Sequence, residues 1–292
     1  GGSMKVGIFS ILPDQEADPA IVAKHAEDLG FSSYWVPDHI MLPVEYSTPY
    51  PGNTGDGPDP DYLWQMPDPL VALTRAATVT TRLEVGTAVL LVPERHPVHL
   101  AKEIASLDSY SGGRFHFGIG AGWNKEESEI LGGDFDRRWS QVKEAVAVMR
   151  TCWEDEESSH SGKYYQFPPI KSFPKPAQKP SPPVYLPSIM FEGQWSARVF
   201  KRIVEWGEGW LPVVESPDQL KTGLDRLSEL YQQAEKPNRC RVRVLGAEGQ
   251  WRHRRALARF ADLGVEEVII WLTERKTSEI QKELDLLSKD VL

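Results

Sequence analysis

The stretch "DPLVALTRAATVTTRLEVGTAVLLVPERHPVHLAKEIASLDSYSGGRFHFGIGA", residues 68–121, decides the fold because it alternates helix and strand patterns twice. Asp68 is a good N-cap and Pro69 suits the first helical position, so a helix begins here. The four predicted elements are a helix over Asp68–Thr80, a strand over Leu83–Leu91, a helix over His96–Gly113 and a strand over Phe115–Ala121.

The same alternation continues on both sides of this stretch. Further strands are predicted at Lys5–Ile11, Ser32–Val36, Val184–Ile189, Gly209–Val214, Arg241–Ala247 and Glu267–Thr273. Further helices are predicted at Pro19–Leu29, Ser140–Trp153, Ser196–Trp206, Pro217–Ala234, Gln250–Leu263 and from Thr277 onward. Apolar runs such as "VIIWL" are typical of parallel strands that are covered on both faces. Eight strands, each followed by a helix, predict an α/β protein with a single (β/α)8 TIM barrel over residues 4–292.

A doubly wound Rossmann fold is the competing architecture. It expects a glycine-rich turn after the first strand, whereas the chain has "LPDQEADP" there, without glycine. The barrel is expected to carry two insertions. One is a long loop after the second strand, Met41–Met66. The other is a proline-rich excursion over Phe167–Pro183, before the fifth strand, with too little periodicity to form an element.

Composition narrows the class of protein. The chain of 292 residues is 40% hydrophobic and 26% charged, as in ordinary globular proteins, and its net charge of −9 argues against a nucleic-acid partner. No apolar run approaches the roughly 20 residues of a membrane span, so no membrane association is expected. Two distant cysteines suit a reducing cytoplasm. Gly1–Ser3, before Met4, resembles a remnant of an expression tag.

The ends of the predicted strands carry the candidate chemistry, because the C-terminal ends of barrel strands form the active-site mouth. The second strand ends in "YWVPDHI", which places Asp38 and His39 at this rim. No cluster of carboxylates and histidines appears among the early strands, and His96 and His99 lack a third ligand, so no metal site is predicted. The rim is small, apolar and rich in glycine, as expected where a flat cofactor lies across it.

Two segments near the mouth each leave alternatives open. The three alternating glycines of "FGIGAGW", residues 117–123, allow close approach either of a ligand or of neighbouring backbone inside the barrel. The loop Met41–Met66 is too long for an ordinary connection and is either a lid or a solvated linker. Its aromatic residues favour a lid that contacts substrate, formed by Tyr46, Tyr50, Tyr62 and Trp64.

Several segments carry a resemblance to a known family. They are "YWVPDHIMLP", "GEGWLPV", "GKYYQFPP" and the dense stretch from Asp68 to Glu127. Together they resemble the bacterial-luciferase-like flavin and deazaflavin superfamily, and most of all its coenzyme F420-dependent oxidoreductase branch. The similarity covers nearly the whole chain.

The resemblance implies a barrel that binds F420, or alternatively FMN, at its mouth and transfers a hydride to or from an unidentified small organic substrate. It implies that His39 is a catalytic acid/base and that Asp38 and His39 lie at the cofactor. A bulged third strand with a non-proline cis peptide between Ala88 and Val89 is expected beneath the cofactor ring. The fourth-strand tip, Ala121-Gly122-Trp123, is expected beside it.

The chain departs from the family pattern in two places. Trp123 stands where the F420-dependent sugar-phosphate dehydrogenases have a catalytic glutamate, which disfavours that activity. The fifth strand lacks the usual Gly-Gly turn and has an apparent insertion of about six residues by ungapped comparison, so Ser188 is the remaining candidate for the cofactor phosphate. The rival functions are an FMN-dependent monooxygenase and a non-catalytic relative that binds such a cofactor. A homodimer is a possible assembly.

Overall fold

Eight parallel strands close into a barrel in the computed structural model, which describes residues 4–292. The predicted tag remnant Gly1–Ser3 lies outside the described residues. The barrel strands are β1 (Lys5–Phe9), β2 (Ser33–Val36), β3 (Glu84–Leu91), β4 (Phe115–Gly120), β7 (Val184–Ile189), β8 (Gly209–Val213), β9 (Arg241–Leu245) and β10 (Glu267–Trp271). Each strand pairs with its neighbour in this order, and β10 closes on β1. The predicted TIM barrel is therefore confirmed.

Helices surround the barrel and connect its strands. They are α1 (Pro19–Leu29), α2 (Tyr62–Gln65), α3 (Pro69–Thr78), α4 (Pro97–Tyr110), α5 (Lys125–Ile130), α6 (Arg138–Glu154), α7 (Ala197–Trp206), α8 (Pro217–Gln233), α9 (Arg254–Asp262) and α10 (Thr277–Val291). Asp68 caps α3 as predicted, since its carboxylate accepts hydrogen bonds from the N–H groups of Leu70 and Val71. The short helices α2 and α5 were not predicted. Among residues 4–292, no helix is long and apolar enough to cross a membrane.

The proline-rich excursion differs from its prediction. Its start forms β6 (Gln166–Ile170), which pairs antiparallel with β5 (Ser158–Ser161) in a separate hairpin. The expectation that Phe167–Pro183 contains no regular element is wrong at this point. Prolines 168 and 169 hide the strand pattern, but a two-stranded edge tolerates them because it needs few ladder hydrogen bonds.

The third strand carries the predicted bulge. The peptide between Ala88 and Val89 is cis, and the pairing of β3 with β4 shifts register between Thr87 and Leu90. Gly86, two residues before the bulge, stays in regular pairing with His116. Its role is to leave room for Trp35, whose ring would lie 2.4 Å from a Cβ at this position.

Two glycines of the fourth strand make room for this bulge. A Cβ at Gly118 would lie 2.0 Å from the carbonyl oxygen of Thr87, and one at Gly120 would lie 2.6 Å from Cγ2 of Val89. These contacts are too short for any side chain. The open question about "FGIGAGW" is therefore answered for Gly118 and Gly120, because neighbouring chain occupies their space. Gly122 differs, since its φ of +89° is in the left-handed region.

The opposite end of the barrel interior holds a buried polar network centred on Arg243. Its guanidinium is fully buried and contacts Glu267 at 3.0 Å and Glu84 at 3.1 Å. Glu84 also pairs with Nε2 of His116, and Ser33 donates a 2.6 Å hydrogen bond to Glu267. All five residues lie at or near the N-terminal starts of their strands, so the network fills the bottom of the barrel.

Candidate active site

His39 lies at the C-terminal mouth of the barrel, three residues after β2 ends. It is 9% exposed, and both ring nitrogens have a partner. Nδ1 lies 2.7 Å from a carboxylate oxygen of Glu127, and Trp123 directs its indole N–H towards Nε2 at 3.3 Å. Because the indole can only donate, Nε2 is the acceptor and Nδ1 carries the proton that is donated to Glu127. His39 is thus a neutral imidazole in a defined tautomer and orientation.

Glu127 is held in this position by helix α5. The side chain of Asn124 caps the helix by accepting a hydrogen bond from the backbone N–H of Glu127 at 2.8 Å. The carboxyl group of Glu127 is fully buried. Burial raises its pKa, and the charge of Asp38 raises it further.

Glu94 completes a buried group of three titratable side chains. It follows β3 in the turn Val92–Glu94 and is 5% exposed. Its carboxyl lies beside that of Glu127, within hydrogen-bonding reach, and a Cβ at Gly122 would be 3.6 Å from it. Burial, together with the neighbouring Glu127, raises the pKa of Glu94 well above its ordinary value.

The expectation that no carboxylates cluster with a histidine near the early strands is therefore wrong. Glu94 lies three residues after the end of β3, as far as His39 lies from the end of β2, and Glu127 lies seven residues after the end of β4. The spacing of Asn124 and Glu127 is the sequence signal that predicts a capped helix start here. Among residues 4–292, no group of three or more His, Cys, Asp or Glu side chains is arranged to hold a metal ion.

Asp38, the other residue of the predicted pair, is turned away from His39 into an ion pair. Arg95 donates two hydrogen bonds to its carboxylate, at 2.6 and 3.0 Å, and the backbone N–H of Leu91 donates a third at 2.9 Å. Arg95 also reaches Asp68 at 3.2 Å. Asp38 thus fastens the end of β2 to the end of β3, and its role in cofactor binding stays a prediction.

The loop Met41–Met66 folds over the mouth through three of its predicted aromatic residues. The rings of Tyr46 and Tyr50 lie 5.9 and 5.5 Å from Trp123. Tyr62 packs on Tyr50 and also under the guanidinium of Arg275, at 4.7 Å.

The loop is fastened by hydrogen bonds as well. Asp59 accepts bonds from the hydroxyl of Tyr46 and from Asn53, and Glu126 accepts one from the backbone N–H of Ser47. Trp64 is half exposed and is outside this aromatic group. The loop is therefore packed over the mouth like a lid and does not have the few contacts of a solvated linker.

The remaining predicted cofactor residues lie on or just after three of the barrel strands. Ala88 and Val89 pack in an apolar cluster with Phe9, Ile11 and Tyr62. Ala121 and Gly122 follow β4 and lead to Trp123. Ser188, near the end of β7, accepts a 2.6 Å hydrogen bond from the indole of Trp210 and keeps its own proton to donate. The predicted insertion after β7 is a tight turn closed by two hydrogen bonds between Phe191 and Gln194.

The structure thus combines an eight-stranded barrel, a bulged third strand and a buried histidine at the barrel mouth. The chain belongs to the luciferase-like monooxygenase family, whose pattern it matches over residues 16–263. The predicted resemblance is thereby confirmed. The family places the protein among oxidoreductases and monooxygenases.

Individual relatives support the assignment. An uncharacterized protein of Mycobacterium tuberculosis is 32% identical over 287 residues, which cover 98% of both chains. Among solved structures, the monooxygenase RslO1 from Streptomyces bottropensis has a TM-score of 0.73 at 20% identity and covers 99% of this chain and 98% of its own. The coenzyme F420-dependent tetrahydromethanopterin reductase from Methanopyrus kandleri has a TM-score of 0.72 at 16% identity and covers 99% of both chains. At such identities these two structures show the shared fold.

Proposed function

We propose that the protein is an F420-dependent oxidoreductase that interconverts an alcohol and a carbonyl compound, or a chemically similar pair of small organic molecules. The observation that carries the proposal is the environment of His39. A neutral imidazole at the barrel mouth is oriented by a buried carboxyl and presents Nε2 as a proton acceptor. Such a group exchanges a proton with substrate near neutral pH, which is what hydride transfer to or from a carbonyl carbon requires.

The residues at the mouth fit a flat deazaflavin. Ala88 has a small side chain in the apolar cluster that also includes Val89, and Gly122 has no side chain, so the bulge and the tip of β4 present little bulk to a flat ring. A Cβ at Gly122 would meet Glu94 and narrow the space beside the carboxyl pair. When bound there, F420 accepts or supplies the hydride. The hydroxyl of Ser188 is the group proposed to hold its phosphate.

The chain's own residues then have separate tasks. His39 takes the hydroxyl proton of an alcohol at Nε2, in place of the weak hydrogen bond from the indole of Trp123, or returns it to a carbonyl oxygen. Glu127 fixes the ring orientation through Nδ1. Tyr46 and Tyr50, packed on Trp123, shield this exchange from water. A water-excluded site strengthens each of these polar interactions.

An FMN-dependent monooxygenase is the second candidate, favoured by the family match and by the fold shared with RslO1. Separate titrations of the purified protein with F420 and with FMN, followed by fluorescence, decide between them. We expect micromolar binding of F420 and much weaker binding of FMN. Micromolar FMN binding with no detectable F420 binding would overturn the proposal.

A matched pair of variants tests where the cofactor lies. Ala88→Met fills the space that the small side chain leaves at the mouth and is expected to weaken cofactor binding at least tenfold. Val71→Met, on the exposed surface of α3, is the control and should bind as the wild type does. Equal binding by both variants would place the cofactor elsewhere. A loss of turnover in His39→Ala would distinguish an enzyme from a relative that only binds the cofactor.

A further inference from the structure

The buried carboxyl pair at the mouth has two oxygen atoms that the rest of the protein leaves unsatisfied. Oε1 of Glu94 and Oε2 of Glu127 are inaccessible to water and have no hydrogen-bond donor among the described residues. Two adjacent buried carboxylates would repel each other, and each would lack a donor. A single proton between the two groups removes the repulsion and provides the missing donor.

We propose that Glu94 is a neutral carboxylic acid that donates its proton to Glu127, so that Glu94, Glu127 and His39 form a proton relay ending at the barrel mouth. The hydrogen bond at the other side of Glu127 also points towards it, because His39 donates from Nδ1 to Oε1 of Glu127 at 2.7 Å. Glu127 therefore accepts one hydrogen bond on each side, and Nε2 of His39 is the exit.

Among the charged groups described around the relay, no cation forms an ion pair with the two carboxyls. Asp38 faces it from the end of β2, and its negative charge opposes ionisation of both carboxyls. Arg95 is the nearby cation, but its guanidinium is bound to Asp38 and Asp68. The remaining titratable neighbour is His39, whose pKa is lowered by burial. Retention of a proton is the remaining way for the pair to avoid two buried charges.

The last step of the relay rests on the proposed function. In the oxidation of an alcohol, a bound deazaflavin would supply the hydride acceptor, and Nε2 of His39 would take the hydroxyl proton in place of the hydrogen bond from Trp123. The Nδ1 proton passes to Glu127 at the same time. His39 stays neutral in its other tautomer, and the carboxyl pair goes from one proton to two. Carbonyl reduction runs the same transfers in reverse, so Glu94 and Glu127 store the proton that the substrate gains or loses.

Infrared spectroscopy of the protein without cofactor or substrate tests the carboxyl pair directly. We expect a carbonyl band of a protonated carboxylic acid at pH 8 in the wild type, and its loss in Glu94→Gln. Glu126→Gln, which changes the adjacent carboxylate of α5, is the matched control and should keep the band. Absence of the band in the wild type, or its survival in Glu94→Gln, would overturn the proposal.

A second pair of variants tests the hydrogen bond itself. The amide of Glu94→Gln still donates to Glu127, whereas Glu94→Met has a similar size and no donor. We expect the titration of Glu127, followed by its own carboxyl band, to move upward in Glu94→Met relative to Glu94→Gln. The shift should be about one pH unit or more, equivalent to losing one hydrogen bond to a charged group. Equal midpoints would show that Glu94 does not donate to Glu127. These spectra need no cofactor, so they test the protonation of the carboxyl pair independently of the F420 proposal.

Discussion

The two ends of the barrel each contain a histidine–glutamate pair, buried at the mouth and partly buried at the bottom, and the pKa of the glutamate is shifted in opposite directions at the two ends. At the bottom, His116 pairs with Glu84, and Arg243 lies 3.1 Å from the same carboxylate. Burial alone would raise the pKa of Glu84, but its bonds to His116 and Arg243 outweigh this effect and lower the pKa to about 2. At the mouth, His39 pairs with Glu127, whose pKa is raised instead.

The neighbour of each pair accounts for the difference. His116 has a lowered pKa because of burial and the charge of Arg243, so the permanent cation at the bottom is Arg243 itself. The neighbour at the mouth is a second carboxyl, Glu94. A buried carboxylate that has its own cation stays ionised and serves stability, whereas one that faces another carboxyl retains protons that can be exchanged. The same two residue types thus give a structural pair and a proton-exchanging pair.

The largest expected effect is that of His39→Ala on turnover. Because His39 is the proposed proton-exchanging group, we expect a reduction of roughly 10²–10⁴-fold, with little loss of cofactor affinity. The measurement is steady-state turnover with the cofactor that binds and a substrate found by screening alcohols and ketones. His116→Ala is the matched variant at the bottom and should lower stability rather than turnover. Near-normal turnover by His39→Ala would transfer the acid/base role to another residue.

The next effect concerns stability at the bottom of the barrel. Arg243→Met removes the cation from a fully buried site and leaves Glu84 and Glu267 uncompensated. Breaking a buried ion pair in this way costs about 3–5 kcal/mol of unfolding free energy. Arg241→Met is the control, because Arg241 is about one-third exposed and its pair with Glu266 should contribute under about 1 kcal/mol. Urea denaturation at pH 7 compares the two, and equal losses would contradict the structural role of Arg243.

The same substitution at the two ends should change stability with opposite sign. Glu84 has a pKa below the ordinary 4.5, so its contribution is present above about pH 4.5 and is lost as the pH falls toward 2. Glu84→Gln should therefore lower stability at pH 7, by up to about 3 kcal/mol. Glu94 has a raised pKa, so the wild type loses stability as the pH rises above about 4.5.

Glu94→Gln has no ionisable group at this position, so it does not lose stability through ionisation of Glu94 as the pH rises. Its stability should match the wild type near pH 4.5 and exceed it increasingly at higher pH, by at most about 1.4 kcal/mol per pH unit. Urea midpoints at pH 5 and pH 8 for both variants measure the two signs. If both substitutions destabilised the protein to the same extent at pH 8, the contrast between the two ends would be wrong.

The sequence predicted the fold and half of the site, and the reasons lie in particular residues. The barrel followed from apolar runs such as residues 268–272, which report burial on both faces. His39 was placed at the mouth because it closely follows a strand, where position along the chain determines position in the barrel, whereas the bulge at Ala88 was expected from the family resemblance. Glu94 follows β3 as closely as His39 follows β2, but a glutamate in such a turn usually faces solvent, so nothing in the sequence marked it as buried. Glu127 was missed because it lies seven residues beyond β4, where the direction of the chain depends on packing.

The smallest expected effect is that of Trp123→Phe on the pKa of His39. The indole N–H stabilises the neutral imidazole by donating to Nε2, but the 3.3 Å distance indicates a weak hydrogen bond. Phenylalanine keeps an aromatic ring against Tyr46 and Tyr50 and removes the donor. Loss of a bond to the neutral form favours the protonated form, so the pKa of His39 should rise, by up to about one unit.

Proton NMR of the imidazole across a pH titration measures this shift, with His39→Gln used to assign the signal among the seven histidines. Tyr50→Phe is the matched control, because it removes a hydroxyl from the same aromatic group and leaves the indole in place. An unchanged or lowered pKa in Trp123→Phe would show that Nε2 is not the acceptor. The tautomer would then be the opposite one, and Nδ1 would accept from a protonated Glu127. In that case the mouth would still differ from the bottom in its protonation, but Glu127 would also be protonated in the resting protein, so the relay would hold one more proton than proposed.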